Sequence, residues 1–149
     1  MSEKTTGAKP DPKAGRHLPL PDVDTEPFWA AAAEQRLICR YDEDNERYYH
    51  YPRERAPGTL SDRTSWREVS GRGVVYSYTV VHQAASRAFR DRVPYVLALI
   101  DLDEGARMMA TVDAPTDAVA IGTRVRVAWR IEEDVTLPVF VVDADADAS

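Results

Sequence analysis

Between Gly71 and Val142 the chain alternates short runs of β-branched and aromatic residues with breaks of Gly, Pro and Asp. That rhythm constrains the fold more than any other feature. The first run spans Gly71 to Val81; Tyr95 to Leu102, Arg107 to Val112, Arg124 to Ile131 and Leu137 to Val142 follow. Such residues suit a pleated, half-buried surface, and runs this short between turn signals read as strands rather than helices. Five strands so close in sequence are too many for a flat, half-exposed sheet. They predict a mainly β fold built on a small closed barrel, the five-stranded OB type being one.

Around that core the totals set limits. A chain of 149 residues, 44% of them apolar, accommodates one globular domain with a small appendage. No apolar run approaches the length needed to span a bilayer, and the N-terminus has no apolar signal segment, so the expectation is no membrane and a cytoplasmic setting. The single cysteine, Cys39, has no internal partner for a disulfide, which agrees with a reducing compartment. Many OB barrels grip single strands through a basic groove with stacking aromatics. The net charge here is −6, which argues against nucleic acid as the partner.

Upstream of the barrel, residues 1–17 are polar and read as a disordered tail. Residues 18–36 form an extended Leu-Pro-Leu-Pro arm and a helix. Asp24, Thr25, Glu26 and Pro27 supply a capping side chain, a first-turn acid and an N-terminal proline, and the helix is expected to continue to Arg36. Residues 37–66 read as a hairpin, Leu37 to Tyr41 and Arg47 to Pro52, followed by a polar loop. A lobe of that size cannot hold itself together by burial alone and needs a metal, the barrel or a partner. The barrel occupies 67–142, with a long connection from Gln83 to Val93. Residues 143–149 read as a disordered acidic tail.

Five pieces in this order resemble one family. They are Leu18 to Trp29, Val69 to His82, Val93 to Ile100, Ile121 to Val127 and Thr136 to Phe140, and the family is the OB-fold group labelled domain of unknown function 35. The resemblance implies an N-terminal helix, a rubredoxin-like zinc ribbon and an OB-fold. It also implies a companion subunit in a hetero-oligomer with a thiolase-fold enzyme, lipid-transfer-protein/thiolase-like, that cleaves carbon–carbon bonds of acyl-CoA substrates. The similarity is closest to actinobacterial members that pair with a thiolase-fold aldolase in steroid side-chain degradation. The cleavage it implies is thiolytic or retro-aldol.

One part of the pattern is missing. The family's zinc pattern is two Cys-x-x-Cys pairs, and laid on this chain it falls on Asp42, Asn45, Ala56 and Thr59, so the ribbon is degenerate. Structural zinc wants four S or N ligands in a tetrahedron, which this set does not supply. No zinc or other cofactor of the chain's own is expected.

No catalytic set stands out. His82 ends the first barrel strand and is the one weak candidate for a general base, with capping of the barrel end as its other reading. There is no Gly-rich phosphate loop and no paired-acid motif, so activity in isolation is not expected. Binding is better supported. Arg47, Tyr48, Tyr49, Tyr51, Arg53 and Arg55 concentrate residue types that dominate interfaces and suit the phosphates of a CoA. The second reading of the same tyrosines, ranked behind docking, is packing of the hairpin on the barrel. Phe28 and Trp29 serve as core anchors or as a partner-facing patch, and Phe89, amid three arginines, marks a docking loop or an ordinary exposed one. The expected function is a non-catalytic companion subunit that helps to enclose acyl-CoA, with a free-standing acyl-CoA-binding module as the rival.

Overall fold

The computed structural model of the chain describes residues 18–147. The expected tail at 1–17 lies outside the described residues. The elements are helix α1 (Glu26–Ala33), then strands β1 (Ile38–Asp42), β2 (Arg47–Tyr49), β3 (Thr64–Glu68), β4 (Arg72–Val81), β5 (Tyr95–Leu102), β6 (Arg107–Val112), β7 (Arg124–Glu132) and β8 (Val135–Val142). The last five close into a barrel in the order β4-β5-β6-β8-β7, the mainly β architecture that the strand rhythm predicts. β7 returns to β4 at Arg72–Arg126, and β6 meets β8 in parallel at Val112–Phe140. Inside, Val75, Val96, Ile100, Val125 and Phe140 are fully buried, and β5 alternates inward and outward along its whole length. Gly73 is required on β4, because a Cβ there would collide with the Asp101 carbonyl of β5.

The segment 37–68 differs from the hairpin-plus-loop expectation. β3 pairs with β1, so the lobe is a three-stranded antiparallel sheet in the order β2-β1-β3, with Arg40 opposite both Tyr49 and Trp66. The sheet of the lobe extends to Glu68, two residues past the expected end at Trp66. Support for this small sheet comes from its neighbours. Leu37, Ile38 and Cys39 share one apolar core with Phe28 and Ala31 of α1 and with the barrel interior. The joint is fastened where the Val69 N–H donates to the Leu37 carbonyl (3.0 Å) and the Ser70 N–H to Glu104 Oε1 (2.7 Å).

Two further expectations change at their ends. The helix stops at Ala33 instead of Arg36, because Gln35 takes a left-handed φ of 57° and closes a Schellman cap. Its N–H donates to the Ala32 carbonyl, and the Arg36 N–H to that of Ala31. At the other terminus Thr25, the N-cap, makes no capping bond; Asp22 instead accepts from the Thr25 N–H (2.9 Å) and hydroxyl (2.8 Å). Past the barrel, Asp143 is buried and donates its N–H to the Arg124 carbonyl, and Ala144–Asp147 form a 3₁₀ turn where the sequence reads as a tail.

Candidate functional site: a seam between lobe, helix and barrel

Where α1, the tip of the lobe and strands β6 and β8 meet, they leave a cavity of about 430 Å³. Phe28, Trp29, His50, Tyr51, Pro52, Met108, Met109 and Pro138 line it, with Arg107 among them. α1 places Phe28 on its buried side and Trp29 beside it, the two rings edge to face at 5.0 Å and 90°. His50 stands 5.6 Å from Phe28, and its buried Nδ1 has no hydrogen-bond partner. Desolvation of that ring lowers its pKa to about 4, so it is neutral at ordinary pH. On β6, Arg107 holds Asp101 through two bonds (2.6 and 3.1 Å) and lies 3.5 Å over the Tyr76 ring. Met109 and Tyr51, in the lining, remain 64% and 51% exposed, and Tyr76, under Arg107, 50%, so exposed apolar surface adjoins an apolar cavity. Surfaces of this kind mark interaction sites.

A second cavity, of about 330 Å³, lies at one end of the barrel. Phe89 and Arg92 from the 3₁₀ turn Arg87–Arg92 line it, with Tyr95, Thr111, Asp113 and Arg130. Arg130 pairs with Asp113, and Arg92 with Glu132 at 2.9 Å, while Phe89 faces Tyr95 at 6.1 Å. It therefore combines flat rings with guanidinium groups already held in place by acids.

The arginine and tyrosine cluster divides between two tasks. Arg47 donates to the Pro57 carbonyl (2.6 Å), Tyr49 to that of Arg53 (2.6 Å) and Arg55 to that of Leu60 (3.1 Å), so all three tie the lobe's loops together. Tyr48 packs edge-on against Tyr41 at 4.8 Å. Tyr51 lines the seam and Arg53 lies 4.8 Å over its ring. Phe28 is buried, Trp29 is partly buried against the core, and Phe89 belongs to the barrel-end cavity. His82 is exposed at the end of β4 and lines neither cavity.

Asp42 organises the lobe. Its carboxylate is buried and accepts from the N–H groups of Asp44 (3.1 Å) and Asn45 (3.3 Å), the Asn45 side-chain amide (2.8 Å) and the Thr59 hydroxyl (3.1 Å). Burial opposes its ionisation, yet the bonds from Asn45, Thr59 and Asp44 outweigh it and hold the carboxyl below the usual carboxylate range. The four positions that resemblance assigns to zinc do not fit that metal: one carboxylate is saturated with donors, an amide and a hydroxyl point at it, and Ala56 is an apolar, fully buried side chain. Among the described residues no group of three or more His, Cys, Asp or Glu is placed to hold a metal.

Residues 66–130 match a family model described as ChsH2, C-terminal OB-fold domain. The solved chain described as the Ltp2-ChsH2(DUF35) aldolase superposes with a TM-score of 0.73 at 31% identity, covering 84% of this chain and 98% of that one. This chain belongs to the DUF35 family. Two actinobacterial proteins are similar to it in sequence. A probable enoyl-CoA hydratase alpha subunit of Thermomonospora curvata is 34% identical over 140 residues, 93% of this chain and 43% of that protein. The 3-oxo-4,17-pregnadiene-20-carboxyl-CoA hydratase alpha subunit of Mycobacterium tuberculosis is 35% identical over 116 residues, 74% of this chain and 35% of that protein. This DUF35 chain thus spans less than half the length of either hydratase subunit.

Sequence reasoning missed Arg107, Met109 and Tyr76. A signal existed for the first two: Arg107 and Met109 share the outward parity of β6, whose inward positions are Met108, Ala110 and Val112. Tyr76 had none, because a bulge between Val75 and Ser77 shifts the parity of β4 at that residue.

Proposed function

We propose that this chain is a non-catalytic companion subunit of a thiolase-fold enzyme that cleaves carbon–carbon bonds of acyl-CoA substrates, a steroid side chain being the substrate class. The observation that carries this reading is the likeness to the DUF35 component of a two-component aldolase over nearly that component's whole length. The relatives' names, both hydratase subunits acting on CoA thioesters, support the substrate class. The seam supports the docking role. Its exposed Tyr51 and Met109 line an apolar cavity beside Arg107, which stacks on the exposed Tyr76, and Tyr and Arg dominate interface hot spots. The barrel-end cavity, with rings and arginines at the mouth of an OB-fold, suits the nucleotide end of a CoA. No helix among the described residues is long and apolar enough to cross a membrane; a cytoplasmic setting is part of the proposal.

In this division of labour the partner supplies the reacting groups. The test is reconstitution with a thiolase-fold aldolase, followed by sedimentation and steady-state kinetics. The pair is expected to co-sediment, and His82→Ala to lower turnover by well under the 10²-fold that marks the loss of a general acid or base. A His82 variant that assembles yet loses roughly 10³-fold in kcat overturns the non-catalytic role. A chain that binds acyl-CoA but no enzyme identifies the free-standing module instead.

A further inference from the structure

The loop 42–47 and the loop 53–63 meet at one buried anion. Asp42 gathers three donors from its own loop and the Thr59 hydroxyl from the other, a bond that joins residues 17 apart in sequence. Its neighbour repeats the arrangement: Asp44 accepts from the Ser61 hydroxyl at 2.6 Å and from Arg63 at 2.7 Å. Arg47, 3.9 Å from the Asp42 carboxylate, balances that charge while its other nitrogen reaches the Pro57 carbonyl. The second loop is closed on itself by the Ala56 N–H to the Ser61 carbonyl and the Leu60 N–H to the Ala56 carbonyl. Of the four positions where zinc ligands would stand, two therefore bond to the third, Asp42, and the fourth is packed with a methyl group.

We infer that the Asp42 carboxylate does the work of a metal centre with the polarity reversed. In a zinc knuckle a cation is surrounded by anionic ligands; here an anion is surrounded by hydrogen-bond donors drawn from the same two loops. The lobe closes without metal, and its fold depends on one ionised side chain. A carboxylate that accepts several bonds is held by charge-assisted interactions, which are stronger than neutral ones. Removing the charge leaves at least three donors facing a weaker acceptor or a second donor.

The experiment uses the full chain. Elemental analysis of the purified protein is expected to find far less than one zinc per chain, and excess chelator or added zinc to leave Tm unmoved. Asp42→Asn, nearly isosteric, is expected to lower Tm by about 5 °C or more in metal-free buffer, or to prevent folding. Thr59→Ala, which cuts only the bond between the loops, is expected to lower Tm by about 2–4 °C, with the wild-type indifference to chelator retained. One zinc per chain, or a Tm that falls with chelator, overturns the inference. So does an Asp42→Asn variant as stable as the wild type. None of these outcomes bears on the companion role, because that reading is tested by assembly and kinetics.

Discussion

His50 makes the stability of this fold depend on pH in a window whose upper part lies above the range of the acids. Its ring is wedged between Phe28 and Tyr51, and Nδ1 is sealed from solvent with no acceptor or donor against it. Desolvation brings the folded-state pKa down from 6.5 to about 4. Above pH 6.5 both the folded and the unfolded chain carry a neutral imidazole, and the full stability is present. As pH falls from 6.5 towards 4 the unfolded state takes up the proton and the folded state does not, so stability falls with pH. Below about 4 both states are protonated and the loss levels off. A gap of some 2.5 pH units at about 1.4 kcal/mol per unit corresponds to about 3 kcal/mol, a large share of the stability of a domain this size. The carboxyls held low by their partners, Asp22, Asp42, Glu43 and Asp103, add their own loss as pH falls through the ordinary values at which the unfolded chain takes up protons, 4.5 for Glu43 and 3.8 for the aspartates, so the upper part of the window belongs to His50. Urea unfolding at pH 7.0, 5.5 and 4.5 measures the effect. The wild type is expected to lose about 2–3 kcal/mol across that range, and His50→Gln to lose little of it. A flat wild-type profile, or a His50→Gln profile with the same slope, refutes the argument.

Two further predictions follow from other parts of the molecule. Cys39 is fully buried on β1 with its thiol pushed up to about 12 by desolvation, then by Glu104, so alkylation of the native protein should track the unfolding rate; prompt labelling of native protein at pH 8 would contradict this. Arg107→Ala removes a half-exposed ion pair and should cost less than about 1 kcal/mol of stability. In the reconstituted complex, however, it should weaken assembly about 30-fold, as a truncated hot spot of about 2 kcal/mol does; an unchanged dissociation constant would move the interface away from the seam.

Much of the barrel is legible in the sequence because its signals are local. Each strand carries its own β-branched run, and a barrel buries one parity of each, so β5 reads directly as Val96, Ala98, Ile100 and Leu102 inward. What is not legible depends on backbone states or distant pairing. Gln35 ends the helix in a conformation that glycine usually supplies, and the β7–β8 turn uses Glu133 at φ 51°. β3 lacks a strand signature, as Thr64, Ser65, Trp66, Arg67 and Glu68 are mostly polar, and is a strand because β1 offers it an edge. The arginine and tyrosine cluster looks like a surface, but its side chains close the loops of the lobe. Arg47, Tyr49 and Arg55 are spent there, leaving Tyr51 to line the seam with Arg53 stacked over its ring.

The closed barrel bears on how recognition can change over time. A sheet that returns from β7 to β4 has no free edge to which another chain can add a strand. The exposed edges belong to β2, three residues long, and to β3, which ends in Arg67 and Glu68. Association through the barrel must therefore be written in side chains rather than in shared backbone hydrogen bonds. Outward positions such as Tyr76, Arg107 and Met109 contribute little to the interior, so they are free to drift while Val96, Ile100 and Phe140 keep the framework intact. If the proposed companion role holds, a few surface substitutions at these positions would change the partner enzyme, the vocabulary of partners turning over while the grammar of the fold stays fixed.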